Sequence, residues 1–79
     1  MNEDAAHRIE LLRTLVADDP GDAAAHFLLG RALLDAGHAA EAIATYRRGV
    51  TVAERTNDLQ AGKEMNAFLK RLARDAPRP

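Results

Sequence analysis

Few side chains in this sequence are capable of chemistry. His7, His26 and His38 are the candidates for a metal centre or for proton transfer. They fall on three different predicted elements, with no cysteine in the chain and no second histidine near any of them. A metal site needs three or four converging ligands, so these histidines read as structural or solvated, and no metal is expected. The 79 residues contain no serine and no cysteine, which removes the usual hydroxyl and thiol nucleophiles and any disulfide. There is also no glycine-rich phosphate loop and no paired-carboxylate motif. No catalytic residue, no cofactor-binding residue and no cofactor are assigned, and an enzyme is not expected.

Binding is the better reading. Phe27, Arg31 and Leu34 recur at helical spacing and share one face with Ala24 and Asp35. A partner site needs apolar surface for an anchor and a charge to set register, and this face carries both. The competing use is packing: a later helix folds over Phe27 and Leu34, because so small a domain has little apolar surface to spare. A second set, Lys63, Lys70 and Arg74 with Arg71 nearby, lines one side of the last predicted helix. Cations near a helix carboxyl terminus complement its dipole and stay solvated. Anion or nucleic-acid binding is the distant alternative, disfavoured by a net charge of −1 and only three aromatic residues.

Positioning these residues falls to helices. Alanine and leucine dominate, and glycine and proline sit between periodic segments rather than in runs, so the fold class is all-α. Residues 1–76 form one domain and 77–79 a tail. The amino terminus is acidic, without the apolar run of a signal peptide. No stretch approaches the roughly 18 apolar residues of a membrane span, so the expectation is a cytoplasmic protein with no membrane partner. Charge is divided along the chain: three basic against eight acidic residues through Tyr46, then eight basic against four acidic.

Four helices are predicted. The first covers about 3–18, capped by Asn2, with Ala5, Ile9, Leu12 and Val16 as its stripe, widened by Leu11 and Leu15. Asp19-Pro20-Gly21 ends it, since proline disfavours helical geometry in the residue before it. The second begins after Asp22, an N-cap type, and ends at Gly37. Ala25, Leu28, Leu29, Ala32, Leu33 and Ala36 make its main stripe, and Phe27 and Leu34 lie nearly opposite. A helix apolar on two sides is packed on two sides, so this one is central. The third runs over about 39–55 on Ala39, Ala42, Ile43, Tyr46, Val50 and Ala53, with Arg47, Arg48 and Thr51 outward. Asn57 or Asp58 starts the fourth, about 58–74, on Leu59, Gly62, Met65, Leu69, Leu72 and Ala73, flanked by Ala61 and Phe68. Short connections make sequential helices antiparallel neighbours.

The hairpin over about 20–55 resembles a tetratricopeptide repeat, a helix pair of roughly 34 residues. The matching residues are Leu29-Gly30, Gly37, Ala42 and Tyr46, with Asp19-Pro20 matching the pair that closes a preceding repeat. His26, Leu33, Gly49 and Glu54 stand where the family prefers other residues. The resemblance implies a right-handed superhelical fragment: one full repeat, a helix left over from a preceding repeat, and a capping helix. It also implies protein–protein interaction, with an unknown protein or peptide held on the concave face of the second and fourth helices by Ala24, Phe27, Arg31, Leu34 and Asp35. The alternative is a scaffold unit that associates with copies of itself, and the expected state is a monomer or weak homodimer.

Overall fold

The computed structural model describes residues 3–75 as four helices: α1 (Glu3–Asp18), α2 (Ala23–Asp35), α3 (Ala39–Thr56) and α4 (Leu59–Asp75). The Asn2 cap and the tail at 77–79 lie outside the described residues. α2 packs against each of the other helices, and α3 packs between α2 and α4. α1 reaches α3 through one ion pair, Arg13 Nη1 to Glu41 Oε2 at 2.7 Å.

Each connection has a local cause. The Asp22 carboxylate accepts from the Ala25 N–H at 3.1 Å and satisfies a donor at the start of α2. Gly37 adopts φ +86° after α2. Its N–H and that of His38 donate back to Leu34 and Leu33 carbonyls at 3.0 and 2.8 Å, closing the helix end. Asn57 does the same for α3 at φ 60°, one of the few non-glycine types that tolerate that conformation. Asp58 then caps α4 through the Ala61 N–H at 3.2 Å.

The core gathers Ile9, Leu29, Leu33, Ala42, Tyr46, Ala53, Ala61 and Met65. Several stripe residues expected from periodicity are exposed instead: Leu11 and Leu15 on α1, Leu28 and Ala36 on α2, Ala39 on α3, Leu59 and Ala73 on α4. Leu28 and Leu59 sit on open clefts beside α1 and α3 respectively, and Ala36 and Ala39 flank the α2–α3 turn. Conversely, Thr45 and Gly49 are buried. Thr45 satisfies its hydroxyl by donating to the Glu41 carbonyl at 2.9 Å. At Gly49 the Met65 sulfur of α4 and the His26 Cβ of α2 occupy the space a side chain would need. α3 is therefore packed on two sides, as α2 is.

The close approach of α2 and α3 centres on Gly30. A Cβ there would lie 2.5 Å from Tyr46 Cε1 and 2.8 Å from Cδ1 and Cζ. The nearest group to Gly30 is thus the Tyr46 ring. The ring is fully buried and cannot swing away. Gly30→Ala therefore lowers stability by about 1–3 kcal/mol through overpacking, more than offsetting the roughly 1 kcal/mol of helix propensity gained; Gly30→Leu lowers it further. Urea denaturation midpoints check this, and an unchanged or raised midpoint for Gly30→Ala contradicts the packing described.

Candidate functional site

The five residues proposed for partner binding divide in two. Ala24, Arg31 and Asp35 are exposed on α2, whereas Phe27 and Leu34 are half-buried and packed against the core. Their placement follows from the helix repeat: 27 and 34 lie seven residues, about two turns, apart on one flank of α2, where Phe68 of α4 packs against Phe27. Arg31 and Asp35, one turn apart, pair at 3.5 Å between Nε and Oδ1.

What completes this face comes from α3 and α4. The Phe27 ring lies 6.2 Å from Tyr46 and 5.9 Å from Phe68, and Tyr46 stacks on Phe68 at 5.5 Å with 17° between planes. All three aromatic residues of the chain thus meet at one junction. The Arg31 guanidinium lies 5.7 Å from the Phe68 centroid and that of Arg71 lies 5.4 Å from it. Such cation–π contacts contribute about 0.5–1 kcal/mol each at exposed positions. Phe68 and Arg71 complete this face, whereas the sequence alone sets Phe68 beside a core stripe and Arg71 beside a solvated basic face. Both lie three apart on one helix, which spacing shows; that this pair meets Phe27 and Arg31 depends on how α4 is laid across α2.

Arg31 and Asp35 also line a cleft of about 310 Å³ between α1 and α2, together with Arg8, Leu12 and Leu28. The histidines play no common part. His7 and His38 are exposed, while His26 is buried, its Nδ1–H donating to the Asp22 carbonyl at 2.9 Å. Among the described residues no three His, Cys, Asp or Glu side chains come together as metal ligands. No described helix is long and apolar enough to cross a membrane.

Tyr46 carries the one chemical anomaly of the junction. Its hydroxyl is buried and finds no hydrogen-bond partner among the described residues. Burial pushes its pKa above the ordinary 10; the nearby Arg31 charge opposes the shift and Asp35 adds to it. The neutral phenol is therefore favoured in the folded state. Above pH 10 the unfolded chain releases this proton first, so the folded state holds more protons and stability falls as pH rises. Removing the hydroxyl removes both effects. Tyr46→Phe is expected to match or exceed the parent's stability, by up to about 1–2 kcal/mol, and to flatten the alkaline loss between pH 9 and 11 relative to the parent. Thermal melts across that range test it; a clear destabilisation would mean that the hydroxyl is hydrogen-bonded.

Comparison with known proteins agrees with the architecture. The tetratricopeptide repeat family matches residues 2–64, most of the chain. A TPR repeat-containing protein of Pseudomonas aeruginosa is 39% identical over 71 residues, covering 90% of this chain and 68% of that relative. No solved structure matches the chain to a significant degree. Helix pairs closed by Gly37, a small residue under the Tyr46 ring and a match through most of the sequence lead to one conclusion: this chain belongs to the tetratricopeptide repeat family, whose members are generally protein–protein interaction modules.

Proposed function

We propose that residues 1–76 act as a single protein-binding domain with no catalysis of its own, holding an extended peptide across the face shared by α2 and α4. Ala24 provides space for a backbone, the exposed edges of Phe27, Leu34 and Phe68 provide apolar surface, and Arg31 and Arg71 provide positive charge. Asp35 holds the Arg31 side chain at the rim. The observation that carries the reading is Phe68, a half-buried ring with a guanidinium from each of two helices against it. Arg71 makes no ion pair among the described residues, so its charge is available to a partner. The chemistry of such a face suits a segment with one apolar side chain and one acidic group.

Capture of a partner from native lysate by the intact chain tests this proposal, with two variants as controls. The double variant Arg31→Ala, Arg71→Ala removes exposed charge and two cation–π contacts, so capture is lost while stability falls by only about 1–2 kcal/mol and circular dichroism at the assay temperature shows the chain still folded. Phe27→Ala, by contrast, lowers stability by about 2–3 kcal/mol, somewhat less than a fully buried phenylalanine would. Undiminished capture by the arginine variant would rule out this face.

A further inference from the structure

Two surfaces at opposite ends of the molecule remain uncovered, and they match one another. At the α1 end, Leu11 and Leu15 are 55% and 52% exposed, and lie one turn apart on one edge of the helix. Leu28 of α2, 51% exposed, continues this apolar strip across the α1–α2 cleft, whose other wall includes Leu12. Asp18 and Asp19 stand at the carboxyl end of the strip and Asp4 near its start, with Arg8 the cation between them.

At the α4 end the seam between α3 and α4 opens into two clefts. One, of about 440 Å³, is lined by Ile43, Leu69 and Leu72 with Arg47 and Lys70 at its rim. The other, about 180 Å³, holds Val50, Gly62 and Leu59, the last 70% exposed, beside Lys63. Together they form a second apolar strip along α4, its rim carrying Arg47, Lys63 and Lys70 against Glu54 and Asp58 at the amino-terminal end.

We propose that the α1 strip of one copy docks on the α4 strip of a second copy, joining chains head to tail. α1 has 16 residues and α4 has 17, so the two surfaces have nearly equal length. An antiparallel arrangement sets Asp18 and Asp19 against Lys63, and the amino-terminal half of α1 with Asp4 against Lys70 and Arg74. It also opposes the two helix dipoles. The leucines on each side are then covered by those of the other, which exposed leucines in water favour. Because the two contacting surfaces differ, the contact is heterologous: it propagates into a chain of copies rather than closing as a two-fold dimer. Exposed ion pairs contribute little individually, so the association is weak, concentration-dependent and reduced by salt. This surface borders the α2–α4 face proposed for peptide binding at Arg31 and Asp35, which line the same α1–α2 cleft, whereas Phe68 and Arg71 lie outside that cleft.

Sedimentation equilibrium of the intact chain, from micromolar to near-millimolar concentration at low and high salt, reads the association directly. The expected result is a mass average that climbs past two chains at low salt, with apparent affinity falling several-fold at high salt. Two surface variants then identify the faces. Leu11→Ser with Leu15→Ser blocks the α1 strip, and Leu59→Ser with Lys63→Glu blocks the α4 strip; all four positions are exposed, and circular dichroism confirms that each variant is folded. Each variant alone is monomeric, and an equimolar mixture forms a complex of two chains and no larger. A parent chain that stays monomeric throughout overturns the proposal. So does a parent that associates while the two variants behave like it, or a mixture of the variants that forms no complex.

Discussion

The contact between the Tyr46 ring and the backbone at Gly30 sets the distance between α2 and α3, and the remaining helices are placed from there. A buried ring this close to a helix backbone is possible only where the facing residue lacks a side chain. With Gly30 in that place, α2 and α3 share one core, and the same ring also stacks on Phe68. One tyrosine therefore joins three helices. Interiors are close-packed and transmit such constraints rather than absorbing them, so α4 is positioned by a residue on α3 that itself rests on α2.

Gly49 repeats the arrangement one turn further along α3. There the Met65 side chain of α4 and His26 of α2 fill the space left by the missing Cβ. Methionine, with its unbranched and polarizable chain, suits an irregular gap of this kind. His26 is held by its bond to the Asp22 carbonyl, so the residue that begins α2 also orients a side chain in the α2–α3–α4 junction. Capping, helix packing and the third layer are linked through neighbouring residues. The link has a polar remainder: the Tyr46 hydroxyl, buried where the ring must lie, without a partner among the described residues.

The proposed function rests on where this packing stops. Arg31 and Arg71 sit at the edge of the aromatic junction, where α2 and α4 meet water, and both guanidiniums lie against Phe68. Their alkyl stems cover apolar surface while their charges remain available. The uncovered flanks of α1 and α4 arise in the same way. Each terminal helix has a neighbour on one side only, so leucines of its stripe are left in solvent.

The sequence by itself determined the elements and their ends, because those depend on local chemistry. Asp22, Gly37 and Asp58 act on backbone groups within a few residues, and helical periodicity marks Ile9, Leu33, Ala42 and Met65 as inward. It also identified α2 as central, since apolar residues on two faces require two neighbours. Tertiary structure alone decided which edge of each stripe is covered. Leu11, Leu28 and Leu59 have the same spacing credentials as buried residues, yet they stay exposed, Leu28 at the open α1–α2 cleft and Leu59 at the open α3–α4 seam. The proposed binding face shows the same division. Phe27, Arg31 and Leu34 were legible as a helical set, but Phe68 and Arg71 join them through space, across more than thirty residues of chain. No periodicity within one helix encodes the angle at which another helix crosses it; that angle comes from the Tyr46 ring, Gly30 and Gly49 fitting together.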